Sequence, residues 1–485
     1  MNKKAIFPVA FGNFRITIVI LALFLSSMQS IYASHLLGAE MYYDCVGANQ
    51  YRISLVLYRD CNGLSMGATK NVSINRCGTP STQSLSLVSG YPQDVSALCP
   101  TSISNCSGGA LDGIDKWLYQ AVVTFPAGCN NIKISFSECC WSNMISSFTN
   151  PSAQNVFTEM IIDNTVSACN NSSRFLDGPN FSACNNQPFN YSFAVSDADA
   201  DSLVYSLVNC RTSSGTAISY NIPFSGTNPL TTASGLSLDS RTGQLTFTPT
   251  SIQTSVLCVR VDEYRNGIKI AEQTRVSQIQ VLNCSNTLPR LSPLNLAGTA
   301  QQSNFDYNFC VSNVPVCFDM IGYDANAADS VFVNWSNNIA GASLNVQRIS
   351  NDSVRASFCF TPSSAGRKNF TVTVNDNACP RIGENTYTYN LIIGSPSLPI
   401  SIQNAQTSCA GSADAVLNAV VTGGASPYTY SWNTSPVQTT SSATALASGQ
   451  YCVTVVDNNG CSGVTCATVT SPNVSVAISV QNQVS

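Results

Sequence analysis

Sulfur constrains this chain more than any other feature. Its 485 residues carry 21 cysteines, and all of them lie after residue 33. Nine fall between Cys45 and Cys169. Three blocks of four follow: Cys184, Cys210, Cys258 and Cys284; Cys310, Cys317, Cys359 and Cys379; Cys409, Cys452, Cys461 and Cys466. Such density reads as a disulfide framework formed in an oxidising compartment. Four cysteines per block predict two bridges inside each domain, each stabilising its domain by about 2–4 kcal/mol. The odd cysteine is expected in the first block. Cys139 and Cys140 are adjacent and are expected to bond different partners. Zinc, the other use of clustered cysteine, needs paired short spacings such as C-x2-C, and none occurs.

The stretch ahead of the first cysteine fits the same compartment. Lys3, Lys4 and Arg15 flank an apolar run, Ile16 to Leu25, and Tyr32-Ala33 precedes a cut before Ser34. Residues 1–33 therefore read as a secretory signal peptide. No later run is long and apolar enough to cross a bilayer, so no membrane span is expected in the mature chain. The length points to about three to four domains. Charged residues make up 10%, the net charge is −4 and the pI is near 5.0. Nothing in that balance attracts nucleic acid.

Period-2 patterning runs through the whole chain, and no helical period stands out. It is clearest near the C-terminus. Tyr428, Tyr430 and Trp432 share one face of a strand, and Tyr451, Val453 and Val455 repeat the spacing. Gly423-Gly424 and Pro427 punctuate the chain before the first run. Asp457 to Gly460 reads as a hairpin loop leading into a second arm, Val464 to Val469. Folding about Asn459 brings Cys452 opposite Cys466, within disulfide reach. Cys409 and Cys461 are then left to staple the ends of the module. Ile400-Ser-Ile402-Gln403-Asn404 returns as Ile478-Ser-Val480-Gln481-Asn482, 78 residues on. Residues 396–472 are thus one repeat and 473–485 the start of another, and the chain reads as the front of a longer tandem array. Upstream, residues 34–183 form a Cys-rich domain with strands such as Tyr51–Cys61, Trp117–Phe125 and Val156–Ile162. Residues 184–284 form a second domain. Residues 285–395 repeat its plan: Phe358 to Pro362 parallels Phe247 to Pro249, and Val372 to Asp376 parallels Val259 to Glu263. Ser395 to Pro399 is a short, stiff linker. The expected fold is all-β, a set of disulfide-rich β-sandwiches placed end to end.

Several of these motifs resemble known families. Cys409-x-Gly411, Gly423-Gly424-x-x-Pro427-Tyr428-x-Tyr430-x-Trp432, Gly449-x-Tyr451-x-Val453-x-Val455 and Asp457-x-x-Gly460-Cys461, closed by Pro472, resemble the SprB-type repeat of gliding-motility surface adhesins. Cys452 and Cys466 are an addition to that pattern. Ser34 to Glu40, with Tyr58-Arg59-Asp60-Cys61, is similar to the N-terminal region of large secreted proteins from the same gliding bacteria, and carries no known site. Residues 184–284 resemble a cadherin-like sandwich of the dystroglycan kind, and 285–395 a second one. The resemblance implies tandem Ig/cadherin-like modules in a secreted, cell-surface protein tied to gliding motility and type IX secretion.

Asp197, Asp199 and Asp201 form the sharpest chemical constellation. Alternating carboxylates in a tight turn can converge on one hard cation, and they repel one another unless something screens them. The resemblance adds Asp262 and Glu263 from the exit strand, giving a candidate calcium site of five residues. The plain alternative is a solvated Asp-rich turn. The third domain has a looser version in Asp324, Asn326 and Asp329. His35 is the single histidine and sits near the mature terminus, a poor place for a His-based triad or a zinc hydrolase. No phosphate loop occurs, and no spacing singles out a glycosidase pair among the 26 acidic residues. Trp117, Trp141, Trp335 and Trp432 read as core rather than sugar platforms. The chain is therefore expected not to be an enzyme. It is expected to be an adhesin-like or structural surface protein mediating attachment or gliding through many weak contacts. Its partners would be extracellular surfaces, polysaccharide or other adhesin chains. The alternative is a set of carbohydrate-binding or receptor-type modules appended to an enzyme beyond residue 485.

Overall fold

A computed structural model describes residues 35–292, 301–303, 306–312, 314–394, 398–403, 407, 409–472 and 479. The expected signal peptide lies outside the described residues, as does the expected start of a further repeat apart from Ser479. Among the described residues the helical pieces are two three-residue 3-10 turns, Asn105–Ser107 and Pro151–Ala153. Everything else that is regular is strand, so the chain is all-β, as its period-2 patterning predicts.

The first unit closes on itself. Leu36–Gly47 pairs along one edge with Gln50–Asp60 and, at Gly38 and Ala39, along the other with Ile268–Leu282. The order continues from Gln50–Asp60 through Ile114–Thr124, Thr79–Leu87, Thr69–Arg76, Ile132–Cys139 and Asn155–Ile162, which pairs again with Ile268–Leu282. Closure removes exposed strand edges. It also demands glycine at the seam, because a Cβ on Gly38 would stand 2.8 Å from the Val276 carbonyl oxygen. Inside the ring lie Tyr43, Tyr51, Tyr119, Phe136 and Trp141. The Tyr58-Arg59-Asp60-Cys61 motif is explained here. Arg59 grips buried Asp115 through two hydrogen bonds, at 3.1 and 2.5 Å, and Cys61 bonds Cys106.

The hairpin of Gln253–Arg265 and Ile268–Leu282 belongs to two cores. Val256 and Cys258 point into the first, whereas Leu257, Val259 and Val261 point into the second. A strand buried on both faces loses the polar half of its alternation, which accounts for the unbroken run Val256-Leu-Cys-Val259. A three-stranded sheet of Phe189–Ser192, Gln244–Phe247 and Ser237–Leu238 covers the second core. One sheet therefore holds strands of both units, among them Leu36–Gly47 and Ile268–Leu282. Buried Arg275 reinforces this joint. Its Nε donates to Glu40, its Nη1 donates to the Asp177 carbonyl at 2.8 Å and the Tyr191 hydroxyl at 3.1 Å, and its guanidinium lies over the Phe175 ring.

The third unit is a two-sheet sandwich. Arg290–Leu291, Val316–Tyr323, Ser353–Phe360 and Ser343–Ser350 face Gln301–Ser303, Asp306–Cys310, Glu384–Gly394, Gly366–Asn375 and Phe332–Trp335. Stacked Phe358 and Phe370, 4.1 Å between ring centres, lie at its centre. The terminal module has two three-stranded sheets around Trp432. Its hairpin register sets Cys452 opposite Cys466, and the two are bonded, as the fold about Asn459 predicts.

The chain holds ten disulfides and one free cysteine. Cys184–Cys284, Cys210–Cys258 and Cys317–Cys359 stay within their blocks, as expected. Three expectations are corrected. Cys139 and Cys140 bond each other, every other cysteine of the first block being taken. The ninth cysteine of that block, Cys99, bonds Cys379 of the third unit, where the backbones also meet: the Cys99 amide donates to the Pro380 carbonyl at 3.2 Å. Cys461 bonds Cys310 rather than Cys409, whose thiol is free and exposed. The physical reason is direction. Asp306–Cys310 runs parallel to Glu384–Gly394, so Cys310 ends where the chain leaves for the terminal module, and the Asp457–Cys461 loop packs back onto that end. A Cβ on Gly394 would touch the Cys461 sulfur at 2.8 Å.

The units are also not simply end to end. The second and third lie flank against flank. Ser192 and Thr388 hydroxyls meet at 2.7 Å, the Asn190 amide donates to Asn385 Oδ1 at 2.8 Å, and the Thr388 amide donates to Gln244 Oε1 at 2.7 Å. Strands Phe189–Ser192 and Glu384–Gly394 present short polar side chains to each other, so hydrogen bonds rather than apolar burial seal the contact.

Candidate functional site

Two acidic clusters stand at successive joints between units. The first is built on the turn between Val195–Ser196 and Ser202–Leu207. Asp197 makes that turn itself: its Oδ1 accepts the amides of Asp199 at 2.9 Å and Asp201 at 3.0 Å. Its Oδ2 is buried and without a partner. Glu263 enters from the neighbouring strand Gln253–Arg265 and is 1% exposed. Its carboxylate accepts the Ser173 amide at 2.6 Å, and Asn170 Nδ2 approaches at 3.4 Å. Ligand atoms of Asp197, Asp201 and Glu263 lie within 4.8 Å of one another. Burial pushes the Glu263 carboxyl up to about 7 despite the hydrogen bonds from Ser173, and burial raises Asp197 as well.

Of the five residues expected here, the structure gathers these three. Asp199 turns to Asn171, whose amide donates to it at 2.7 Å. Asp262 is a correction: it points to the opposite face, where Lys269 Nζ at 2.6 Å and Arg260 at 3.1 Å pair with it. Neighbouring strand residues face opposite ways, so Asp262 and Glu263 cannot both reach one ion as side chains of a regular strand. The same rule points to a residue the sequence reading missed. Arg265, two positions beyond Glu263, shares its face and grips Asp201 with Nε at 2.8 Å and Nη2 at 2.7 Å, with Asp199 at 3.4 Å. A guanidinium thus sits among these carboxylates.

The second cluster joins Asp324, Asp329 and Asp376, again with ligand atoms within 4.8 Å of one another. Asp324 and Asp329 lie in the loop after Val316–Tyr323, and Asp376 follows Gly366–Asn375. Asp376 Oδ1 accepts the amides of Ala378 at 3.0 Å and Gly383 at 2.7 Å, and its Oδ2 accepts Asn286 Nδ2 at 2.6 Å. Gly383 is required, because a Cβ there would collide with Asp376 Oδ2. Burial raises both Asp324 and Asp376. The expected Asn326 does not ligate as a carboxylate would; its Nδ2 donates to Asn286 at 2.6 Å and to Asp329 at 3.2 Å. Asp376 went unnoticed, although the match of Val372–Asp376 to Val259–Glu263 sets it in the place of Glu263. Acidic clusters of this composition can bind a metal ion.

Between the second and third units opens a polar cleft of ≈840 Å³. Asp197, Asp201 and Arg241 line one wall, and Asn338, Arg367 and Lys368 the other. The tryptophans are core: Trp117, Trp141 and Trp432 are buried, and Trp335 packs against the third core.

The chain is an all-β protein built of several sheet units tied by disulfides. No family model matches it, and no curated protein matches it. Among solved structures it is similar to an I-band fragment from titin, at 10% identity and a TM-score of 0.22, over 60% of this chain and 95% of that one. It is also similar to the N-terminal eight Ig domains of Down Syndrome Cell Adhesion Molecule, at 9% identity and a TM-score of 0.22, over 90% of this chain and 50% of that one. Human CDH23 EC21-23 is a third likeness, at 13% identity and a TM-score of 0.17, over 57% and 92% of the two chains. Scores this low carry no functional argument, and the fold class rests on the sheets described above. No helix among the described residues is long and apolar enough to cross a membrane.

Proposed function

We propose that this chain works outside the cell as an adhesion-type or structural surface component, and not as an enzyme. The carrying observation is the sulfur framework. Twenty of 21 cysteines are bonded, and two of the bonds, Cys99–Cys379 and Cys310–Cys461, tie one unit to another. Such bonds persist in oxidising surroundings, and bonds between units suit a part that must keep its shape under load. The motifs of residues 396–472 support the finer reading of a SprB-type repeat and a role in gliding attachment. Affinity would come from several modules engaging one surface together.

The test is attachment of beads carrying the full chain to glass, cells and polysaccharide layers, with the isolated 396–472 module as comparison. Retention by the full chain that clearly exceeds the module supports adhesion. Retention no better than an albumin-coated bead on every surface refutes it. The polar cleft favours a second reading, a carbohydrate-binding role, because hydroxyl-rich polymers pair well with its Asn, Arg and Lys side chains. Glycan-array binding that is lost in Arg367→Ala would favour that reading.

A further inference from the structure

We infer that the cleft between the second and third units holds a segment of acidic polysaccharide, a sugar chain whose units carry carboxylate or sulfate. This deepens the carbohydrate-binding reading above and rests on it. The cleft measures ≈840 Å³, within the span of about 300–1,000 Å³ usual for ligand sites. Its charge depends on which side chains are already engaged. Asp201 lines one wall, but its side chain is 2% exposed and is gripped by Arg265. Asp197 turns Oδ1 to two backbone amides of its own turn, and its Oδ2 is buried. The cations face the opening instead. Arg241 has a half-exposed side chain, and its pairing with Asp239 at 3.7 Å is of the surface kind that contributes little. Across the cleft Arg367 is exposed and Lys368 half-buried. Among the described residues neither of these two makes an ion pair.

Strand alternation puts these groups there. On Gly366–Asn375, Phe370 and Val372 point into the third core, so Arg367, Asn369 and Thr371 share the opposite face. Thr371 stands opposite Thr388, whose hydroxyl meets that of Ser192 in the second unit at 2.7 Å. The face is therefore sealed against the second unit at Thr371 and opens into the cleft by Arg367. Asn369 lines the cleft between them, and its Oδ1 is buried with no hydrogen-bond partner. An unmet buried acceptor costs free energy until a donor reaches it, and a sugar hydroxyl entering beside it is such a donor. Ser202 and Ser364 add hydroxyls, one on each wall. No aromatic side chain is among the described residues that line the cleft. Nucleobases, which rest on aromatic platforms, find none here, and neither does a neutral sugar that binds by stacking. Affinity has to come from charge and hydroxyl pairing. A chain bearing both anions and hydroxyls meets Arg, Lys, Ser and Asn together, and guanidinium forks match oxyanions well.

The experiment passes the purified full chain over immobilised polygalacturonate, dextran sulfate and plain dextran in a biolayer interferometer. Saturable binding to at least one acidic polymer is expected, tighter than to dextran by roughly tenfold or more. It should weaken between about 0.05 and about 0.3 M salt as screening sets in. The acidic polymer that binds more tightly tells carboxylate from sulfate. Arg367→Gln combined with Lys368→Gln should weaken binding by roughly tenfold. Arg52→Gln combined with Lys133→Gln removes the same charge from the first unit, away from the cleft, and should leave binding unchanged. Failure to saturate on either acidic polymer overturns the inference. So does equal tightness for plain dextran, or an equal loss in the two double variants. Dextran binding that disappears in the Arg367 and Lys368 variant would leave the wider carbohydrate reading standing, so the two fail separately.

Discussion

Glu263 shows what a single side chain does in this fold. It sits on a strand shared by two cores, and burial holds its carboxyl near 7 against an ordinary value of 4.5. The folded state therefore binds a proton more tightly than the unfolded chain does between those two values. Unfolding releases that proton, so stability falls as pH rises from about 4.5 through about 7, by up to roughly 3 kcal/mol from this group. Melting temperature should thus be higher at pH 5 than at pH 8, and Glu263→Gln should flatten the slope. Glu384, also pushed up to about 7 by burial and by Asp177, leaves a residual slope of the same sign. Equal slopes in the parent and Glu263→Gln would show that Glu263 does not titrate in this window. The spacing of Asp197, Asp199 and Asp201 made the acidic turn legible, whereas Glu263 entered only through the family resemblance. Arg265 escaped because a motif of acids draws attention away from a base two residues beyond it.

Single elements were readable where one face meets water. Tyr430 and Trp432 share one face of the strand Thr429–Trp432, with Tyr428 just ahead of it, and the Cys452–Cys466 hairpin pairs in the register its alternation predicts. The hairpin of Gln253–Arg265 and Ile268–Leu282 was not readable as a shared element, because both of its faces are interior and its pattern says nothing about which core each side serves. The ring closure at Gly38 was equally hidden, since it joins residues more than two hundred positions apart. Closure there makes a definite demand. Gly38→Val would force a Cβ against the Val276 carbonyl and move one strand off the other. We expect a loss of roughly 1–3 kcal/mol, seen as a lower urea midpoint with little change in slope. A midpoint equal to that of the parent would mean the seam has slack.

At the scale of the whole molecule, the cysteine blocks pointed to a disulfide framework and to four of the six bridges expected within the three blocks of four, but block-by-block counting assumes that partners are neighbours in sequence. Cys99–Cys379 and Cys310–Cys461 span 280 and 151 residues, and only the way units fold back on one another brings those sulfurs together. Three of the bonds overlap like links: Cys45–Cys169, Cys99–Cys379 and Cys310–Cys461. Every peptide bond between Cys45 and Cys461 lies inside at least one of these loops. A protease that nicks this stretch once, in any exposed turn, therefore severs nothing. Trypsin-treated protein carrying one cut in that stretch should run as a single species until reductant is added, and then fall into pieces; early release of a fragment from within it without reductant would break the interlock. A surface exposed to foreign proteases would wear from such attack only at its ends, staying whole as a fabric after individual threads are cut.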